Sequence, residues 1–130
     1  MATADDVRAL ALQLPGSYQV EVRGVEKFRV KQLVYLAFSG DDEILGVAFP
    51  KDEREGVIAA EPERFLWPRK SDLRYNWIHI RLAAFDVVEV RELVVDGWRM
   101  CVPKRVAAEL EPQLPTLLRD GALVEKDLPT

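Results

Sequence analysis

The chain has 130 residues, 48% hydrophobic and 31% charged, with a formal net charge of −4 at neutral pH. That length gives one domain with a real core, and that balance excludes disordered, collagenous and coiled-coil chains. One cysteine (Cys101) leaves no internal disulfide, and one histidine (His79) leaves too few soft ligands for a zinc site.

The opening residues MATADDVRAL carry neither a basic n-region nor an apolar h-region, so no signal peptide is expected. Thr3 and the acidic pair Asp5 and Asp6 instead suit a helix start, where carboxylates favour the positive end of the dipole. Val7, Leu10, Ala11 and Leu14 then recur at helical spacing until Pro15-Gly16, which predicts a helix over residues 4–14. The period next changes to two. Tyr18, Val20 and Val22 alternate with polar neighbours over Ser17–Val22, and after Gly24 the apolar Phe28 and Val30 alternate with Lys27, Arg29 and Lys31. A turn at Lys31-Gln32 leads to Leu33–Phe38, and Ser39–Asp42 reads as a turn into Ile44–Phe49. Connections this short demand an antiparallel meander. The apolar runs are also too short to span a bilayer, so the expectation is a soluble cytoplasmic protein with no membrane partner.

Pro50 opens a second helix running to Ala60, weakened by Gly56. The stretch 61–72 is an irregular connection with a short strand near Phe65–Trp67, and Arg74–Leu82 is the clearest strand, with Ile78, Ile80 and Leu82 on one face. Asp86 with Glu89 three residues on makes a capping box. An apolar stripe of Val90, Leu93, Val94, Gly97, Trp98 and Cys101 follows, and Pro103 either ends this helix or begins a short one over Lys104–Leu110. The remainder, with Pro112, Pro115 and Gly121, reads as a loosely packed tail that Leu114, Leu117 and Leu118 tack down. The order is helix, three or four strands, helix, one or two strands, helix. It defines a two-layer α+β domain over residues 1–110, with an antiparallel sheet carrying helices on one face, followed by a tail over 111–130.

Four stretches together resemble the MmcQ/YjbR family of small bacterial proteins. They are Leu12-Gln13-Leu14-Pro15-Gly16; Gly24 followed by Lys27-Phe28-Arg29-Val30; Trp77 leading its strand after Arg74; and Trp98-Arg99 followed by Val102-Pro103-Lys104-Arg105. The resemblance spans residues 5–110. It departs at Lys31-Gln32, where the family usually carries a glycine, and has no counterpart for the tail. It implies an α-β(3)-α-β(2)-α domain of secretion-chaperone-like architecture, and it brings a customary DNA-binding label that rests on fold similarity.

Catalysis has no positive support in the residues. Cys101 lies on the core stripe, the serines sit at turns, no glycine-rich phosphate loop is present, and the carboxylates read as solvated faces and helix starts. No enzyme activity, cofactor or metal is therefore expected, and His79 is most simply a structural or surface residue. A small-molecule pocket between the second helix and Phe65–Trp67 would need His79, Tyr75 and a carboxylate to cluster.

Two surfaces remain. Tyr75, Trp77, His79 and Arg81 share one face of their predicted strand, and Lys27, Arg29 and Lys31 share one face of theirs. If the two faces coincide, the sheet presents aromatic platforms flanked by cations, as single-strand binders do. Lys104 and Arg105 would add phosphate contacts. The plainer alternative packs Trp77 and Tyr75 under a loop and uses the cations to solubilise an edge strand. DNA binding on this footprint is expected to be weak, since four phosphate contacts give a salt slope of only about −3 to −4 on a duplex. An acidic chain also needs a segregated basic face to bind it at all. The second surface comes from Leu33–Phe38 and Ile44–Phe49, which are apolar on both faces. A two-layer sheet buries one face only, so a homodimer or other protein partner, the tail, or a client peptide or small ligand is expected to cover the other.

Overall fold

A computed structural model describes residues 1–123 of the protein. Among these residues six strands form one antiparallel sheet: β1 (Ser17–Val22), β2 (Val25–Val30), β3 (Leu33–Phe38), β4 (Ile44–Ala48), β5 (Phe65–Leu66) and β6 (Trp77–Arg81). Their order is β1-β2-β3-β4-β6-β5. The first four run as the predicted meander because each connection is too short to cross the sheet. Four strands before the second helix is one more than the resemblance implies.

The helices are α1 (Ala4–Ala11), α2 (Lys51–Ala60), α3 (Val87–Arg99), α4 (Lys104–Leu110) and α5 (Leu114–Asp120). The helix starts at Thr3 and Asp86 carry full capping boxes, whereas Pro50 starts α2 without a side-chain cap. Thr3 accepts from the Asp6 N–H at 3.2 Å while Asp6 accepts from the Thr3 N–H at 2.9 Å. Asp86 and Glu89 do the same at 2.8 and 3.0 Å. α3 lies across β3 and β4 and packs against α1. Its approach is close enough that a Cβ on Gly97 would stand 3.0 Å from both the Ala48 carbonyl oxygen and Val47 Cγ2. Trp98, fully buried beneath this helix, donates its indole N–H to the Pro15 carbonyl at 2.8 Å.

A bulge sets the fit between β2 and β3. Phe28 pairs Leu36 but Arg29 pairs Val34, so Tyr35 is the extra residue. It is fully buried, and its hydroxyl lies 2.6 Å from that of Ser17.

The segment expected to be a loose tail is packed where it is described. Leu114 and Leu117 enter the core on α5, which rests against α3. Arg91 of α3 caps its end by donating to the Leu118 and Arg119 carbonyls at 3.1 and 2.9 Å, and Gln13 bonds Gly121 and Leu123. Pro115, in the first turn of α5, costs no helical hydrogen bond and presets the backbone. The last seven residues of that tail, 124–130, lie outside the described residues.

Candidate functional site

Strand register decides what each face of the sheet carries. Across β1 and β2, Tyr18 lies opposite Arg29 and Val20 opposite Lys27. Lys27 then lies opposite Ala37, Ala37 opposite Gly46, and Gly46 opposite His79. Arg81 is level with Ile44, and Trp77 with Ala48. Directly opposed residues point to the same side. The two faces singled out in the sequence therefore coincide, and Lys27, Arg29, Trp77, His79 and Arg81 share the side away from α1 and α3.

The opposite parity holds the acids. The six strands contain two carboxylates, Glu21 and Glu26, which face each other across β1 and β2 on the helix side. Glu26 is engaged there by Arg8 of α1 at 2.7 Å, and Arg8 also grips Asp5 and Asp42, each at 2.9 Å. Among the described residues, Lys27, Arg29 and Arg81 make no ion pair, whereas Arg8, Arg64, Arg99 and Arg119 all do. The open face thus carries three uncommitted cations and no strand carboxylate, on a chain of net charge −4.

At the centre of this face the indole of Trp77 lies over Gly46. A Cβ at Gly46 would stand 2.6 Å from Trp77 Cζ2 and 2.9 Å from Cε2 and Nε1. The glycine makes room for the ring, and the ring covers backbone that the glycine leaves bare. Trp77 is half-buried by this contact, and so is its neighbour His79. Desolvation pushes the His79 pKa below its ordinary value; the nearby Asp72 opposes that shift and Arg69 adds to it. Val20, Val34, Ala37 and Ile44, all half-buried, fill the space among the cations.

Three sequence expectations need correction. Lys31 is not a strand residue: it occupies the turn after β2 at φ 54°. Tyr75 is not level with Trp77, because β6 begins at Trp77 and Tyr75 belongs to the loop before it. Lys104 and Arg105 open α4, which follows α3 in the helix layer, so neither reaches the open face. The described part of the tail packs on that layer too and leaves the open face uncovered.

Sequence reading missed Arg54. It sits on α2 among charged neighbours and reads as part of a solvated face, yet it is only 6% exposed and is the one buried charged residue among those described. Its guanidinium donates to the carbonyls of Leu73, Tyr75 and Trp77 at 2.7, 3.2 and 2.9 Å, with the Trp67 ring 5.5 Å away. Arg54 therefore fills the space between α2 and the segment after Phe65 in which a small-molecule pocket would have to lie. Among the described residues no cluster of His, Cys, Asp and Glu could hold a metal ion. No helix there is long and apolar enough to cross a membrane.

A meander closed by a short edge strand, with helices on one side and a cationic face on the other, defines a two-layer α+β domain. The crystal structure of Deinococcus radiodurans protein DR2400, which carries a DUF419 domain, is similar with a TM-score of 0.68 at 18% identity, covering 85% of this chain and 89% of that one. At that identity the likeness is one of fold. The YjbR family model matches residues 12–100, and the chain belongs to the YjbR family. No curated protein matches the sequence.

Proposed function

We propose that this YjbR protein is a non-catalytic binding protein whose open sheet face takes single-stranded DNA weakly and in a salt-dependent manner. The observation that supports this reading is charge segregation: Lys27, Arg29 and Arg81 stand uncommitted on one face, and both strand carboxylates stand on the other. An open sheet face that carries an aromatic side chain suits stacked bases better than a duplex groove. Three or four phosphate contacts on a single strand give a salt slope of about −2 to −3. Fluorescence anisotropy with a labelled oligothymidylate, titrated across a salt series, tests it. The double substitution Lys27→Glu and Arg29→Glu is expected to lower affinity at least tenfold and to flatten the slope. No binding by the wild-type protein at low salt would sink the proposal.

A second reading draws on Val20, Val34, Ala37 and Ile44, which give the same face an apolar component suited to a protein partner or a second copy of the chain. Light scattering separates the two. A stable dimer that dissociates on Val34→Glu favours association, and a monomer that binds the oligonucleotide favours DNA.

A further inference from the structure

The segment joining β5 to β6, residues 67–76, carries Trp67, Arg69, Lys70, Arg74 and Tyr75 against a single carboxylate, Asp72. Trp67 and Tyr75 are 50% and 51% exposed, unusual for large aromatic side chains on a small domain. The segment's backbone is nevertheless held firmly. Arg54 takes the carbonyls of Leu73, Tyr75 and Trp77, and the Lys51 ammonium takes that of Arg74 at 3.2 Å. Asn76 accepts the Lys51 N–H at 3.0 Å and receives the Phe49 N–H on its carbonyl at 3.2 Å. With these carbonyls turned towards α2, the side chains of Arg74 and Tyr75 are left on the outside.

One group contacts both Trp67 and the backbone of Tyr75. The Arg54 guanidinium lies 5.5 Å from the Trp67 ring and donates to the Tyr75 backbone carbonyl, so it ties the two ends of the loop to α2. Arg74 stacks over the Tyr75 ring at 4.9 Å and bonds its hydroxyl at 2.8 Å. Burying a guanidinium with no carboxylate partner is costly. What it secures here is the shape of a loop whose aromatic rings remain in solvent. None of Arg69, Lys70 and Arg74 makes an ion pair among the described residues.

We infer that this loop is a base-stacking platform: Trp67 and Tyr75 receive unstacked bases of a single-stranded nucleic acid whose phosphates run on to the open sheet face beside Trp77. The inference rests on the proposed function and deepens it, dividing the work between stacking in the loop and charge on the sheet. Base–aromatic stacking is sequence-tolerant because every base has a π-face. The loop's excess of cations excludes an acidic surface of its own and fits a polyanion.

The test compares the wild type, Trp67→Ala, Trp67→Phe and Tyr75→Ala on two labelled probes: an oligothymidylate, and an abasic deoxyribose-phosphate oligomer of the same length. On the thymidylate, Trp67→Ala is expected to weaken binding about 5- to 100-fold with an unchanged salt slope, and Trp67→Phe to retain most of the affinity. On the abasic oligomer the four proteins are expected to bind alike. Each variant is checked by its thermal unfolding midpoint, which an exposed ring leaves nearly unchanged. A wild type that binds neither probe overturns the face reading and the loop inference together. A wild type that binds both, with variants indistinguishable on the thymidylate, overturns the loop inference alone and leaves the face intact.

Discussion

Placing alanine at Gly46 tests the contact at the centre of the open face, and the expected result changes sign with the partner residue. The added Cβ would stand 2.6 Å from Trp77 Cζ2, far inside van der Waals contact, so the indole must swing off the sheet. Overpacking of this kind costs about 1–3 kcal/mol. Against it, alanine in a strand gains about 0.5–1 kcal/mol over glycine by restricting the unfolded chain. The net expectation for Gly46→Ala alone is a loss of about 1 kcal/mol, with a red shift in tryptophan emission as the ring leaves its seat. In a Trp77→Ala background the three atoms nearest the new methyl group are gone, and the same substitution should stabilise by about 0.5–1 kcal/mol. Urea denaturation of the wild type, both single variants and the double variant gives the coupling directly. Equal losses in both backgrounds would show that the ring is not what Gly46 accommodates, and would remove the stated reason for a glycine in a central strand.

Arg54→Met keeps the volume but leaves the Leu73, Tyr75 and Trp77 carbonyls without their donor. A loss of about 2–4 kcal/mol is expected, with faster tryptic cleavage at Arg69, Lys70 and Arg74; unchanged cleavage would mean that the loop does not depend on Arg54. Arg8→Met removes the tie from α1 to Glu26 and Asp42 and leaves Glu26 facing Glu21 across the strands. A loss of about 1–3 kcal/mol is expected by chemical denaturation, and a shift no larger than that of Arg119→Met would refute it. For His79, burial lowers the folded pKa below the ordinary 6.5, with Asp72 and Arg69 as the charged groups beside it. Stability from its neutral form is therefore complete above pH 6.5 and lost as pH falls through the lowered folded value. An imidazole titration midpoint above 6.5 by NMR would contradict this, and His79→Gln should flatten the dependence.

The meander was legible because alternation and short turns are local properties. The Asp86–Glu89 box and the stripe through Trp98 were legible for the same reason. The start of β6 was not. Arg74, Tyr75 and Asn76 continue the pattern of the strand, but the carbonyls of Leu73, Arg74 and Tyr75 are claimed by Arg54 and Lys51, so ladder pairing begins only at Trp77 opposite Ala48. A long-range partner overrode a local preference there. The placement of Lys104 and Arg105 was not legible for a simpler reason: adjacent charges in sequence say nothing about which layer a helix occupies.

Whether the two cationic strand faces coincide could not be read from either strand alone, since it depends on register across β3 and β4. Once register is fixed, charge segregation follows from the same alternation that makes the core. Phe28 and Val30 must face the helices, so Glu26 goes with them and Lys27 and Arg29 go out. A slip of one residue would expose Phe28 and bury Lys27, which the hydrophobic cost forbids. The bulge at Tyr35 keeps this parity through β3, sending Tyr35 and Leu36 inward together so that Val34 and Ala37 stay level with Arg29 and Lys27. Because the outward cations make no ion pairs among the described residues, neutralising them should leave the fold nearly untouched. Lys27→Gln and Arg29→Gln should therefore unfold within about 0.5 kcal/mol of the wild type while weakening oligonucleotide binding. A matching loss of stability would place these side chains in the fold rather than in the interface.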